Sequence, residues 1–85
     1  MSKQYHERWE RPVTVQLPSN GTQVVASAHE AAECLMELWA PKDVSDEYDE
    51  ALRVCLAVYE GELPPEAARA AFVAAAAAAS LPHDQ

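Results

Sequence analysis

The first strand signal is an alternation of apolar and polar positions, which is the pattern of a half-buried β-strand. Val13, Val15 and Leu17 are apolar and the positions between them are polar. The pair Asn20-Gly21 then gives the strongest short signal for a hairpin turn, because both residues tolerate positive φ. The pattern therefore predicts two antiparallel strands joined by a tight turn.

The turn also predicts how the two strands pair. With a two-residue turn, Leu17 faces Val24 and Val15 faces Ala26, so the apolar residues of both strands share one face. In this register Pro12 lies on the outer edge of the first strand, where its missing N–H breaks no bond of the hairpin.

A capping box starts the first of three helical segments. The Ser27 hydroxyl can accept a bond from a first-turn backbone N–H while the Glu30 carboxylate reaches back. Pro41 ends this helix. Its predicted buried stripe consists of apolar residues at helical spacing: Ala28, Ala31, Ala32, Leu35, Leu38 and Trp39.

Two further helices follow. The second begins at the acidic residues 43–47 and stops at Gly61, a residue type that suits the position just after a helix. Pro65 suits the first turn of the third helix, which is predicted to end at Ser80. The predicted buried positions of these two helices are Tyr48, Ala51, Leu52, Cys55, Val58 and Tyr59, then Ala68, Ala71, Phe72, Ala75 and Ala79.

These elements predict an α+β fold of order β-β-α-α-α, a two-stranded antiparallel hairpin followed by three helices. We assign residues 1–11 to an extended N-terminal arm, residues 12–81 to a single α+β domain and residues 82–85 to a C-terminal tail. A chain of 85 residues suits one domain. Many of its apolar residues are alanines, so the predicted core is thin.

The charge of the chain is acidic and concentrated. The net charge is −8, and residues 28–66 hold eleven carboxylates against two cations, a local −9. Such a surface repels polyanions, so nucleic acid and anionic membrane surfaces are disfavoured, whereas a basic protein partner is compatible with it. Residues 67–81 are too short and too weakly apolar to span a bilayer. No apolar signal segment follows Lys3, so we expect a cytoplasmic location.

No residues have the spacing of a catalytic or metal site, and we predict no enzymatic activity, no metal and no cofactor. His29 starts a helix motif like that of zinc proteases, but Glu33 stands where the second histidine ligand is needed. Cys34 and Cys55 lie in acidic helices, which raise a thiol pKa. We interpret both as reduced, buried packing thiols.

Spaced aromatic, cysteine, glycine and Ala-Arg-x-Ala-Phe positions run through almost the whole chain. They are Trp9-Glu10-Arg11-Pro12-Val13-Thr14-Val15, Ser27, Glu30-Ala31, Leu35, Trp39, Tyr48, Ala51, Cys55, Gly61, Ala68-Arg69 and Ala71-Phe72. In these positions the chain resembles a small bacterial family known as domain of unknown function 982. It departs from the family pattern at Ala40, which separates Trp39 from Pro41, and in the plain alanines of the last helix. The resemblance implies a compact helical domain with a hairpin and supplies no activity, cofactor or catalytic residues.

The leading functional hypothesis is a non-enzymatic protein-interaction or regulatory module that acts as a homodimer. A lone two-stranded sheet is marginal in water, and its edges offer unpaired backbone groups to another chain. We therefore expect the interface on the first strand and on the aromatic residue before it. The candidate interface residues are Trp9, Val13, Thr14, Val15 and Gln16.

Two other hypotheses stay open. The alternative is a small enzyme or ligand-binding protein whose site forms at a dimer interface, around Arg53, Arg69 and the tyrosines. Regulation through nucleic acid binding is disfavoured by the acidic residues 28–66, but the cations of the N-terminal arm leave it open as a hypothesis. For Arg69, an ion pair with Glu66 or with the preceding helix is favoured over a substrate clamp.

Overall fold

The computed structural model describes residues 8–18, 20–39 and 45–84. Within them, helices pack on one face of a three-stranded antiparallel sheet of order β2-β1-β3. The strands are β1 (Arg8–Leu17), β2 (Gly21–Ser27) and β3 (His83–Asp84). The helices are α1 (Ala28–Glu33), which continues as a π-helical turn (Cys34–Leu38), α2 (Asp46–Tyr59) and α3 (Pro65–Ala78). The predicted α+β class is confirmed.

The sheet contains a third strand where the sequence predicts a two-stranded hairpin and a tail. Thr14 lies opposite Asp84 and Val15 lies opposite His83. The Gln16 N–H donates to the Pro82 carbonyl at 2.9 Å. The prediction was wrong because β3 is only two residues long and pairs with a strand near the other end of the chain, so no local pattern marks it.

The register of the hairpin differs from the predicted one. Val13 lies opposite Val25, and Leu17 lies opposite Gly21, which shifts the pairing by three residues. An odd shift moves every side chain of β2 to the other face. Val25 is therefore buried, whereas Val24 is 61% exposed.

The turn itself explains this difference. A two-residue type I′ turn needs positive φ at both central residues. Gly21 has φ +73°, but Asn20 is not among the described residues with positive φ. Leu17 thus lies opposite Gly21, which becomes the first residue of β2.

Part of the predicted arm belongs to the sheet. Arg8 pairs with Ser27, and the register of β1 is irregular between Arg8 and Val13. Trp9 is buried, and its ring lies 6.0 Å from that of Phe72. The rest of the arm, residues 1–7, lies outside the described residues.

The predicted capping box is confirmed at the start of α1. The Glu30 N–H donates to the Ser27 hydroxyl oxygen at 3.1 Å, and the Glu30 carboxylate accepts from the Ala26 N–H at 2.8 Å. The helix widens into the π-helical turn, in which the Trp39 N–H donates to the Cys34 carbonyl at 3.1 Å. Trp39 has extended backbone, so the helical segment ends before it. The predicted end at Pro41 lies outside the described residues.

Helix α2 begins and ends through local bonds. The Ser45 hydroxyl accepts from the Tyr48 N–H at 3.2 Å. The predicted start at 43–44 lies outside the described residues. Gly61, at φ +83°, donates to the Val58 carbonyl, and the Glu62 N–H reaches the Ala57 carbonyl. These two bonds form a Schellman motif and confirm Gly61 as the stop signal.

Helix α3 ends in the same way without a glycine. Ser80 has φ +58°, its N–H donates to the Ala77 carbonyl, and the Leu81 N–H donates to the Ala76 carbonyl. Ser80 thus lies just past the helix, two residues beyond the last helical residue, Ala78. The buried Leu81 side chain follows the turn and directs the chain back toward β1.

The core centres on Phe72, whose side chain is fully buried between two tryptophans. Its ring lies 6.0 Å from that of Trp9 and 5.8 Å from that of Trp39. Tyr59, predicted to be buried, is 63% exposed because the adjacent Val58 takes the inward position at the last turn of α2. No helix in the described part of the chain has the length and apolar character needed to cross a membrane.

Candidate functional site

The predicted interface residues divide into two groups. Trp9, Val13 and Val15 are buried in the core of their own chain. Thr14 and Gln16 lie where β3 pairs with the outer edge of β1. The edge that the sequence offers to a second copy is thus covered by the C-terminal residues of the same chain.

The opposite edge of the sheet, formed by β2, has no strand paired with it among the described residues. The Ala26 N–H bonds the Glu30 carboxylate and therefore points away from β1. Backbone groups alternate in direction along an antiparallel strand, so the N–H and C=O groups of Thr22 and Val24 point the same way. No described residue bonds these groups, and the Val24 side chain is exposed.

A groove of about 270 Å³ runs beside this open edge. Gln23 and Val25 of β2 line one side, and three carboxylates from α1 and the π-helical turn line the other. Glu30, Glu33 and Glu37 recur at spacings of three and four residues, which places them on one helix face. We call this cavity, together with the free backbone of Thr22 and Val24, the edge groove.

The carboxylates of the edge groove are unequally engaged. Glu30 is partly buried and holds the Ala26 N–H. An oxygen of Glu33 lies 3.3 Å from a ring nitrogen of His29, and both side chains are mostly exposed. Glu37 is exposed and has no bonding partner within the described part of the chain. The groove is therefore an acidic surface with two solvent-facing carboxylates.

Two hydrogen bonds connect Asn20 to residues that line the groove. The Asn20 side-chain amide donates to the Leu38 carbonyl at 3.3 Å. The Gln23 amide donates to the Asn20 carbonyl at 3.3 Å. The first bond connects the hairpin turn to the π-helical turn, and the second connects that turn to β2.

The cysteines are poor candidates for nucleophiles. Burial raises the pKa of Cys34 and of Cys55 from 9.0 to about 11. Both thiols are free and buried. The sequence attributes the raised pKa to acidic helices, whereas the structure attributes it to loss of hydration. Thiols of this kind are almost entirely protonated at neutral pH.

The arginines of the alternative hypothesis lie in separate clefts. Arg69 Nε donates to the Arg11 carbonyl at 2.8 Å, which connects α3 to the irregular stretch of β1. Arg53 bonds Glu50 at 2.9 Å in an open cavity at the start of α2. Within residues 8–18, 20–39 and 45–84, no three His, Cys, Asp or Glu side chains form a possible metal site.

A family model described as protein of unknown function (DUF982) matches residues 11–82 of the chain. The chain belongs to the DUF982 family. This confirms the resemblance seen in the sequence. No curated protein matches the chain.

A similar solved structure supports the fold. The NMR structure of the Agrobacterium tumefaciens protein Atu1219 is 35% identical, with a TM-score of 0.71. The match covers 88% of this chain and 74% of that one. Neither the family description nor the description of this relative names an activity, so the function of this DUF982 chain has to be argued from its own surface.

Sequence reasoning missed the edge groove for one reason. Glu33 and Glu37 lie outside the buried stripe predicted for the first helix, and both are exposed, so they form an outward acidic helix face. The predicted register, however, was wrong: it placed Val24 in the core, so the open edge of β2 beside that face was not predicted. The lack of positive φ at Asn20 decides this point, and it is visible only in the structure.

Proposed function

We propose that this DUF982 chain is a non-catalytic protein-interaction module whose docking surface is the edge groove. The observation that carries the proposal is the unpaired backbone of Thr22 and Val24 beside an exposed apolar side chain. An extended segment of a partner can add to such an edge, with main-chain hydrogen bonds giving affinity and alternate side chains giving specificity.

The contrast with normal edge strands supports this proposal. Proteins protect strand edges with proline, inward-pointing charge, bulges or a covering segment. The outer edge of β1 has Pro12, an irregular register and β3. At Thr22 and Val24 the described residues supply none of these protections. An unprotected edge beside a cavity is therefore suited to pairing with an extended segment of a partner.

The expected homodimer remains a prediction. Pairing through the outer edge of β1 would require β3 to leave it. Pairing of two β2 edges would bring two copies of Glu33 and Glu37 together, which like-charge repulsion disfavours. We therefore propose a different protein as the main partner. The cytoplasmic location also remains a prediction.

The proposal can be tested with one matched pair of variants. Val24→Pro removes an outward N–H without removing a bond to β1, whereas Val24→Thr keeps the N–H and a β-branched side chain. Each protein serves as bait for affinity purification from the source organism. A partner retained by the parent and by Val24→Thr, but lost with Val24→Pro, is expected.

The same partners recovered at equal levels with Val24→Pro would contradict the proposal. Circular dichroism melts of the three baits control for folding. Sedimentation at micromolar concentration tests the homodimer separately: a mass near 9.3 kDa that persists on concentration rules it out.

A further inference from the structure

We infer that the edge groove binds an extended basic segment of another protein, with lysine or arginine at every second position. The inference rests on the proposed function, because it names the partner of the same surface. Two observations carry it: the direction of the free backbone groups of β2, and the row of carboxylates beside them.

The geometry of an added strand selects alternate residues. Successive side chains of a strand point to opposite faces of the sheet. In a segment paired with β2, every second side chain lies on the face of Val25 and Gln23, above the groove. The others lie beside Val24, on the solvent face. Only the first set can reach the carboxylates.

The spacings on the two sides agree. Alternate residues of a strand are about 7 Å apart. Seven residues of helix, the separation of Glu30 and Glu37, span about 10 Å. The groove therefore accommodates two alternate cations. With Ala26 already bonded to Glu30, main-chain pairing is confined to Thr22 and Val24, so the bound segment is short.

The negative charge of the groove favours one class of bound segment over the others. Glu33 and Glu37 face solvent and can each accept hydrogen bonds from an ammonium or guanidinium group. The net charge of −8 also attracts a cationic segment over longer distances. A second copy of this chain would present carboxylates to carboxylates, and an acidic segment would do the same. A basic segment is the occupant whose charge complements the groove.

The test uses a synthetic peptide of about eight residues that alternates lysine and threonine, within the usual length of a strand. Two further peptides carry glutamine or glutamate in place of every lysine. Binding to the full chain is measured by fluorescence anisotropy. We expect the lysine peptide to bind most tightly and the glutamate peptide not to bind. Protection of the Thr22 and Val24 amides from hydrogen exchange locates the peptide.

Variants separate the backbone contribution from the charge contribution. Val24→Pro is expected to weaken binding of the lysine peptide strongly. Glu33→Gln together with Glu37→Gln is expected to weaken it roughly two- to thirty-fold, the range of two exposed ion pairs. The matched control, Glu47→Gln with Asp49→Asn, makes the same charge change on α2, outside the groove. It is expected to leave the affinity unchanged within twofold.

Three results would overturn the inference. The first is a glutamine peptide that binds as tightly as the lysine peptide; if Val24→Pro still abolishes binding, docking at the edge stands and only the basic partner fails. The second is a control pair that weakens binding as much as the groove pair, since binding would then follow net charge alone. The third is absence of binding by the lysine peptide, which leaves the bait experiment to decide the proposed function independently.

Discussion

The two edges of the sheet differ in whether their outward backbone groups are bonded by other residues of the chain. On the β1 side, Pro12 has no N–H to offer and the Gln16 N–H is bonded by the Pro82 carbonyl. On the β2 side, Thr22 and Val24 present backbone groups that no described residue bonds. The comparison shows that one edge is sealed by the chain's own end, while the other keeps its pairing capacity beside an acidic cavity.

The sealed edge depends on how α3 ends. Ser80 adopts the left-handed conformation, which costs energy for a residue with a Cβ. The following turn buries Leu81 and delivers Pro82 to β1. No comparable segment among the described residues returns to β2. The difference between the edges is thus produced by the ending of one helix together with Pro12 in β1.

The largest expected loss of stability comes from disrupting the core on which the sheet packs. Phe72→Ala empties the centre of the aromatic cluster formed with Trp9 and Trp39. Truncating a buried phenylalanine costs about 3 to 5 kcal/mol, a large part of the stability of a small domain. Chemical denaturation monitored by tryptophan fluorescence measures the loss. A free energy of unfolding within about 1 kcal/mol of the parent would mean that the cluster is not the centre of the core.

The next effect should appear at the sealed edge. Gln16→Pro removes the N–H that bonds Pro82 and weakens the docking of β3, at an expected cost of about 1 to 3 kcal/mol. Thermal melting measures the change, and Gln16→Thr, which keeps the N–H, is the matched control. A Gln16→Pro melt that coincides with that of the control would show that β3 adds nothing to stability.

A smaller change should strengthen the sealed edge. Ser80→Gly removes the steric strain of a Cβ at φ +58° and keeps the turn. We expect a gain of roughly 0.5 to 1 kcal/mol, because the relief exceeds the added freedom of the unfolded chain. Denaturant titration of both proteins checks this. Ser80→Ala, which keeps the Cβ, should show no such gain, and equal gains in both variants would contradict the explanation.

The smallest effect is expected at the open edge. Val24→Pro removes an N–H with no partner among the described residues, so its free energy of unfolding should stay within about 0.5 kcal/mol of the parent. Its difference from Gln16→Pro measures the asymmetry of the two edges directly. Equal destabilisation by the two prolines would contradict the asymmetry of the two edges.

Several features of this protein were determined by short stretches of sequence. Ser27 and Glu30 form the predicted capping box, Gly61 ends α2, and Phe72 is buried on the inward face of α3. Each of these depends on residues within one or two helical turns. Local backbone bonding and helical spacing are therefore sufficient to predict them, and with them the helices and the α+β class.

The register of β2 and the pairing of β3 were decided only by the tertiary structure. The backbone of Asn20 shifts the hairpin by an odd number of residues, so Val24 faces solvent and Val25 enters the core. β3 exists because the turn at Ser80 brings His83 to Val15 from the far end of the chain. The Asn-Gly pattern does not give the backbone conformation of Asn20, and β3 pairs only where the end of α3 brings the chain back to β1. The acidic helix face could thus be predicted from sequence, but the open edge beside it could not.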